Sequence, residues 1–200
     1  MRKEKLEELK SYIEKFKTIE RKEIISDKNF LQIKKYMYYL NNGKSIIREK
    51  IVKNNNENGG AAIILPITHD NNTILVVEPR TPTKLGVGVG FPAGYIEKNE
   101  EPLDAAKREL LEETGYIAGE WIKLKSCYQD EGCSSEFNHI FLARGCKKVA
   151  KQKLDESEYI EYLEVTYDEA VELEEMGYIS GNNSIIALEK SKQYVKKRGN

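Results

Sequence analysis

A short segment between Gly94 and Gly115 carries acidic residues at a spacing that could bind a metal ion. Glu109 and Glu113 are four residues apart, so in a helix they lie on one face, with Glu112 beside them. Like charges at this spacing repel and destabilise a helix unless a cation compensates them. Carboxylate oxygens prefer hard ions, which indicates Mg²⁺ or Mn²⁺ rather than zinc.

The alternative explanation is an acidic helix surface in contact with solvent, the usual meaning of a run of charges. The flanking residues favour a more specific arrangement. Glu100 and Arg108 could pair and fix the preceding loop against the helix. Gly94 is expected to permit a turn before the helix, and Gly115 is expected to end the helix.

The spacing resembles the Nudix box: Gly, five residues, Glu, seven residues, Arg-Glu, an apolar residue, any residue, Glu-Glu, any residue, Gly. Every fixed position matches, and an aromatic, Tyr116, follows where an aliphatic residue is commoner. So many fixed positions make the match far more specific than a lone glycine motif. The resemblance implies a hydrolase whose metal ion is held by the backbone carbonyl of Ala93 and by Glu109, Glu112 and Glu113.

The hydrophobic pattern of the rest of the chain predicts an α/β protein. Helices are predicted near residues 3–16, 102–114, 167–176 and 184–195. Strands are predicted near residues 32–39, 45–52, 61–67, 73–78, 121–128, 138–144 and 160–165. Asn41-Asn42-Gly43 is a strong hairpin signal, whereas residues 81–90 are predicted to be a loop.

This irregular order of elements predicts a mixed-sheet α/β sandwich with a small N-terminal β-hairpin unit and an extra N-terminal helix. The resemblance to the Nudix box implies that the sandwich is of the Nudix-type α/β/α form. Residues 1–56 are expected to contain that helix and the hairpin, which would serve dimerisation, and residues 57–200 the hydrolase domain. The asparagine-rich stretch Lys53–Gly60 is predicted to be a flexible connector.

The composition limits the partners and the compartment. The 200 residues carry a formal net charge of −1, which gives no indication of a nucleic-acid or membrane surface. Neither a membrane span nor a signal peptide is predicted. Cys127, Cys133 and Cys146 lack the spacing of zinc ligands, so reduced thiols in a cytoplasmic protein are expected.

Beyond the box, residues from about Lys34 to Tyr194 resemble the ADP-ribose pyrophosphatase branch of the Nudix hydrolases. The segments that carry this resemblance include Ala61–Pro66, Phe91–Gly94 and Tyr128–Glu136. The resemblance implies a nucleotide-sugar substrate and a homodimer in which the N-terminal β-unit packs across a two-fold axis. The opening helix has no clear counterpart in this branch.

The resemblance also suggests roles outside the box. Arg80, at a strand end before a glycine-rich loop, is expected to bind phosphate, with an exposed strand-end arginine as the alternative. Arg48 is a weaker candidate for a substrate ligand and is better explained as a residue on the surface of a sheet. A general base is expected in the loop Asp155–Glu158, where Glu156 aligns best and Glu158 second; a solvated acidic loop is the alternative.

The sequence differs from this branch in two segments that bind the substrate in its members. A proline fifteen or sixteen residues past the box is replaced by Glu131 or Gly132, and residues 86–90 are smaller than usual and lack an acid. Glu131 becomes a candidate contact to sugar hydroxyls.

The expected reaction is Mg²⁺-dependent hydrolysis of ADP-ribose to AMP and ribose 5-phosphate. Another nucleotide sugar or a dinucleoside polyphosphate is the alternative substrate. A non-catalytic nucleotide-sugar sensor is the alternative from a different functional class. The intact carboxylate cluster argues against the sensor, because a pure binder has no need of a repulsive cluster.

Overall fold

The computed structural model describes residues 1–19, 30–53 and 59–195. In these ranges the elements are, in chain order, α1 (Lys3–Lys17), β1 (Leu31–Tyr39), β2 (Ser45–Lys53), β3 (Ala61–Thr68), β4 (Asn72–Pro79), β5 (Val87–Gly90), β6 (Ala93–Tyr95), α2 (Pro102–Thr114), β7 (Tyr116–Ile117), β8 (Glu120–Tyr128), β9 (Phe137–Lys148), β10 (Glu161–Thr166), α3 (Tyr167–Glu175) and α4 (Asn182–Ser191).

A mixed sheet forms the centre of the molecule. Its main path runs β10-β4-β3-β9-β7, while β5 pairs with β4, β6 with β3 and β8 with β9. β3 and β9 are parallel, and the other pairs are antiparallel. The interior of β3 is buried on both faces, which explains why its sequence is a continuous apolar run.

Helices cover both faces of this sheet. On one side, α1, α3 and α4 contribute to a core with Leu65, Leu75 and Leu163 of the sheet. On the other side, Ala105 and Leu110 of α2 pack against β3, β4 and β9. This is the predicted α/β/α sandwich, and the prediction is confirmed.

Helix α2 has the limits that the sequence predicts. Pro102 lies in its first turn, where a missing N–H costs nothing. Gly115 adopts a left-handed conformation with φ of 76° and donates its N–H to the carbonyl of Leu111 at 2.8 Å. The predicted helix stop at Gly115 is confirmed.

The N-terminal hairpin is also confirmed. β1 and β2 form a separate two-stranded sheet, and Gly43 in its turn has a φ of 78°. The amide of Ile51 donates to the carbonyl of Cys133 at 2.7 Å, which joins the hairpin to the loop after β8. Residues 54–58 of the predicted connector lie outside the described residues.

The loop predicted for residues 81–90 is wrong in its second half, because Val87–Gly90 forms β5 beside β4. Val87 and Val89 are buried, and the glycines that alternate with them supply no polar side chain to mark the alternation that identifies a strand. All three cysteines are free. No helix in the described ranges is long and apolar enough to cross a membrane.

The first residues of the chain are fixed to α3 by charged groups. Arg2 donates to Glu169 through its backbone amide at 2.7 Å and through Nε and Nη2 at 2.8 Å. Glu169 also completes a capping box with Thr166 at the start of α3. The hydrogen bonds from Arg2 are the main cause that lowers the pKa of the Glu169 carboxyl to about 2.

These contacts predict an acid-dependent loss of stability. A carboxyl with a lowered pKa in the folded state stabilises the fold above its ordinary pKa of 4.5, and this contribution is lost as the pH falls towards 2. Glu169→Gln is expected to lower the free energy of unfolding at neutral pH by about 1–2 kcal/mol and to flatten its dependence on pH over that range. Urea unfolding measures both effects. The exposed Glu175→Gln on the same helix is the control, and equal behaviour of the two variants would contradict the assignment.

Candidate active site

Glu109 and Glu113 of α2 are buried, although both are acidic. They are 6% and 3% exposed, because the helix packs its apolar side on the sheet and turns this edge towards β6. The backbone amide of Ala93 in β6 donates to Oε2 of Glu113 at 3.1 Å. Two carboxylates are therefore held one helical turn apart, against the end of a strand.

Glu158 adds a third carboxylate from the loop before β10. One oxygen from each of Glu109, Glu113 and Glu158 lies within 4.8 Å of the other two. The loop forms a tight turn, in which the amide of Asp155 donates to Oε2 of Glu158 and the amide of Glu158 donates to the carbonyl of Asp155, both at 2.9 Å. Elements far apart in sequence thus meet in one acidic cluster.

The cluster has too little positive charge of its own. Burial, followed by the charges of Glu109 and Glu78, raises the pKa of the Glu113 carboxyl well above its ordinary value. Burial also raises the pKa of Glu109, although Arg108 opposes this shift. The raised pKa values of Glu109 and Glu113 mean that the site favours carboxyls that are protonated or neutralised by a positive charge.

Arg108 supplies part of the compensation and holds the surrounding residues. Its guanidinium donates to Glu100 at 2.9 and 3.0 Å, to Glu109 at 2.6 Å and to Glu112 at 3.2 Å. It also donates to the carbonyl of Tyr95 at 3.0 Å, which ties the loop to the helix. The predicted Glu100–Arg108 pair is present, and Arg108 lowers the pKa of Glu100.

Gly94 is needed for a reason other than the predicted turn. It lies within strand β6, and its φ is not positive. A Cβ at this position would lie 1.9 Å from Oε1 of Glu109, so a side chain and the carboxylate cannot occupy the same space. The expectation of a turn glycine is corrected: Gly94 allows the close approach of Glu109 to the backbone.

Glu78 is a residue of the site that the sequence pattern did not reveal. It is only partly exposed, and burial is the main cause that raises its pKa, with a smaller contribution from the charge of Glu158. Its own charge helps to raise the pKa of Glu113. Nη2 of Arg80 donates to Oε1 of Glu78 at 2.7 Å. Residues two apart on a strand share a face, and this spacing in Val77-Glu78-Pro79-Arg80 is the signal that could have found Glu78.

Arg80 lies over the glycine-rich strand β5. A Cβ on Gly88 would come within 2.6 Å of Cγ of Arg80, so the missing side chain makes room for the arginine stem. Its side chain is 54% exposed, which leaves the guanidinium accessible to a ligand. The small residues of β5, which depart from the resembling branch, therefore leave room for the positively charged side chain of Arg80 beside the carboxylates.

Other predicted residues lie outside the three-carboxylate cluster. Glu112 is partly exposed and turned towards Arg108. Glu156 is exposed in the same loop as Glu158, and Glu131 is exposed in the loop after β8. Arg48 is exposed on the hairpin, where its Nη1 donates to the carbonyl of Ile47 at 3.1 Å. Their roles remain predictions.

A cavity of about 400 Å³ lies next to Tyr95, whose backbone carbonyl accepts a hydrogen bond from Arg108. Lys53 of β2 and the buried Glu136 line it and form an ion pair, which the sequence pattern did not reveal. A larger cavity of about 770 Å³ lies near Ile67 and Arg144, and neither cavity is lined by Glu109, Glu113 or Glu158. We place the site at the carboxylate cluster and assign the smaller cavity to it, because the hydrogen bond from Arg108 to Tyr95 links the two.

The residues present fit a hard divalent cation. Three carboxylates converge, two of them are buried, and the neighbouring Arg108 contacts only one of the three. Glu109 and Glu113 would hold such an ion, with the carboxylate of Glu158 next to it, since oxygen ligands are those that Mg²⁺ and Mn²⁺ prefer.

Comparisons with known proteins agree with this geometry. The NUDIX domain pattern matches residues 57–185. An ADP-ribose pyrophosphatase of Bacillus subtilis (strain 168) is 39% identical over 160 residues, which are 80% of this chain and 83% of the relative. A methanol dehydrogenase activator of Bacillus methanolicus is 34% identical, covering 75% of this chain and 78% of its own length.

Two further similarities extend over most of the chain. A GDP-mannose pyrophosphatase of Yersinia enterocolitica is 30% identical over 179 residues, covering 84% of this chain and 91% of the relative. The crystal structure of an ADP compounds hydrolase superposes with a TM-score of 0.74 at 24% identity, covering 88% of this chain and 92% of the other. This last similarity supports the fold.

The contact between Gly94 and Glu109 predicts the effect of a single methyl group. Gly94→Ala is expected to push the Glu109 carboxylate from its place and to weaken Mn²⁺ binding by about 10- to 100-fold, with a loss of stability of about 1–3 kcal/mol. Calorimetric titration and urea unfolding measure the two effects. Gly119→Ala is the control, since its nearest neighbour would be 3.9 Å away. Unchanged Mn²⁺ affinity in Gly94→Ala would refute this role.

Proposed function

The chain belongs to the Nudix family, and on this basis we propose that it is a divalent-cation-dependent hydrolase of nucleoside diphosphate sugars, with ADP-ribose as its leading substrate. The observation that carries the proposal is the convergence of Glu109, Glu113 and Glu158 beside an accessible arginine. The products from ADP-ribose would be AMP and ribose 5-phosphate.

Each residue has a separate task in this reaction. When bound, the cation neutralises charge that develops on the diphosphate and activates water for attack. Glu109 and Glu113 provide anionic ligands, and Arg108 keeps Glu109 oriented by a hydrogen bond of 2.6 Å. Arg80 would exchange its contact with Glu78 for the substrate's diphosphate, to which a guanidinium can donate two parallel hydrogen bonds.

We assign the general base to Glu158. Its carboxylate is in the cluster, whereas Glu156 of the same loop is exposed and outside it. A base must lie within hydrogen-bonding reach of the water that it deprotonates, directly or through one water molecule. The metal site and the base therefore share one small volume, and the loop Asp155–Glu158 brings them together.

The rest of the substrate is assigned to the cavity next to Tyr95. Its volume of about 400 Å³ is in the range of small-molecule sites. Tyr95 offers an aromatic wall, and Ser134 and Ser135 offer hydroxyl groups, so it suits a nucleoside or a sugar. The exposed Glu131, in the adjoining loop, could accept hydrogen bonds from sugar hydroxyls.

Relatives named for two different substrates make a panel assay the direct test. The purified protein with Mg²⁺ is given ADP-ribose, GDP-mannose, other nucleotide sugars and a dinucleoside polyphosphate, and the products are separated by chromatography. We expect the largest kcat/KM for ADP-ribose, with measurable activity on other nucleotide sugars. Preference for the dinucleoside polyphosphate, or no hydrolysis of any nucleotide sugar, would contradict the proposal.

The metal ligands can be tested by a substitution that keeps the shape of the side chain. Glu113→Gln should fold normally and lose most of its activity, roughly 10²-fold or more, because a neutral amide is a poor ligand for a hard cation. Glu109→Gln should behave alike. Glu120→Gln, an exposed residue of β8, is the matched control. Near-normal turnover of Glu113→Gln at saturating Mg²⁺ would exclude it as a ligand.

The choice between two acidic residues of one loop can be decided in the same way. Glu158→Gln is expected to lower kcat by roughly 10²–10⁴-fold, the usual range for the loss of a general base. Glu156→Gln is expected to stay within about threefold of the wild type, since its exposed side chain lies outside the cluster. The reverse order of effects would move the base to Glu156.

We also propose that the protein is a homodimer assembled through the hairpin of β1 and β2. Of the expected unit of residues 1–56, only the hairpin serves this role, because α1 packs in the core of the main domain. One face of the hairpin carries Ile33, Met37 and Ile47, which are 65%, 53% and 56% exposed, with Tyr39 at its edge 82% exposed. Met37 lies opposite Ile47, so these side chains form an apolar patch with Tyr39. The ion pair between Lys35 and Glu49 separates this patch from Ile33. A second copy would bury the patch in a two-fold interface.

Sedimentation tests the assembly. The wild type is expected to sediment at twice the chain mass of 23.0 kDa at micromolar concentration. Met37→Lys should shift it towards the monomer, because a charge would enter an apolar interface. Tyr38→Lys adds the same charge on the opposite face of β1, and it should remain a dimer. A wild-type monomer would overturn this part of the proposal.

A further inference from the structure

Helix α1 is an integral part of the main domain. Leu9, Ile13 and Phe16 are 0%, 8% and 3% exposed and belong to the core cluster that includes Leu75 of β4 and Leu163 of β10. A helix that was only a solvent-exposed appendage would not bury three large apolar side chains in the core. The helix is also fixed at its start, where the terminal amine pairs with Glu172.

The C-terminal end of α1 reaches the segment that carries Glu158. The rings of Phe16 and Tyr159 meet edge to face, with centroids 5.1 Å apart and planes at 86°. Nζ of Lys15 lies 4.8 Å from the centroid of the Tyr159 ring and makes an ion pair with Glu161 at 2.5 Å. Two neighbouring residues of the helix therefore contact both ends of the short stretch Tyr159–Glu161.

Chain connectivity makes these contacts important for the site. Tyr159 directly follows Glu158, and Glu161 is the first residue of β10. On its other side, the loop is held by the amide of Lys153, which donates to the carbonyl of Glu112 at 2.9 Å, and by the side chain of Gln152, which donates to the carbonyl of Glu113 at 2.6 Å. Glu158 thus lies between an anchor on α2 and an anchor on α1.

We propose that α1 is a positioning element for the acidic cluster, in which Phe16 and Lys15 hold Tyr159 and thereby fix the distance of Glu158 from Glu109 and Glu113. The inference rests on the proposed function, since it gives α1 a role at that same site. Phe16 touches neither the cluster nor the cavity, so its effect on the reaction passes through Tyr159.

The first test changes the ring of Phe16 and keeps a buried apolar side chain. Phe16→Leu is expected to lower kcat about 3- to 10-fold, the equivalent of one aromatic pair, with KM for ADP-ribose within about twofold. In the metal-free protein, amide hydrogen exchange of residues 154–160 is expected to accelerate. Leu9→Val, two turns away on the same face, removes core volume without touching Tyr159 and should alter neither quantity.

A second set of variants separates positioning from general stability. Tyr159→Phe keeps the ring and should retain the wild-type kcat, whereas Tyr159→Ala should lose as much as Phe16→Leu. The kcat of the double variant Phe16→Leu/Tyr159→Ala should equal that of Tyr159→Ala alone, because both substitutions remove the same contact between the two rings. In a Glu158→Gln background, Phe16→Leu should have no further effect on kcat.

Additive losses in the double variant, or equal exchange of residues 154–160 in Phe16→Leu and the wild type, would overturn the inference. Equal effects of Leu9→Val and Phe16→Leu would overturn it as well. If the wild type hydrolysed no nucleotide sugar, the proposed function would fail, and the exchange measurement would still decide whether α1 holds the Glu158 loop.

Discussion

The burial of Glu109 and Glu113 is the constraint on which the rest of the site depends. Two carboxyls in a poorly hydrated position repel each other, and their pKa values rise because the charged forms lose solvation. The fold therefore contains devices that lower this cost. Arg108 neutralises part of the charge, the amide of Ala93 donates to one carboxylate, and a bound cation would supply the rest.

The acidic residues of the site come from three different parts of the sandwich, so the relative placement of the layers determines the geometry. Glu109 and Glu113 are set by α2 on one face of the sheet, and Glu78 by a central strand. Glu158 is set by a loop that α1 contacts from the other face. A sheet buried on both sides resists deformation, and it can hold such groups within a few ångströms.

The sequence predicted well what depends on local spacing. The limits of α2, the pair Glu100–Arg108 and the helix stop at Gly115 all follow from residues close together in the chain. What depends on packing between distant segments could not be predicted. The contact that requires Gly94 arises because Glu109 folds back on β6, and Glu78 joins the site only when β4 lies beside the cluster. The short strand β5 was hidden by its glycines.

The most direct test of the central claim, that the buried carboxylates bind a divalent cation, is to locate that cation in a crystal. Crystals grown with Mn²⁺ and examined by anomalous scattering should contain a peak coordinated by carboxylate oxygens of Glu109 and Glu113, with the carboxylate of Glu158 next to it. Such a peak would account for why two acidic residues are kept buried. A peak bound elsewhere on the protein, with Glu109 and Glu113 free of metal, would contradict the account.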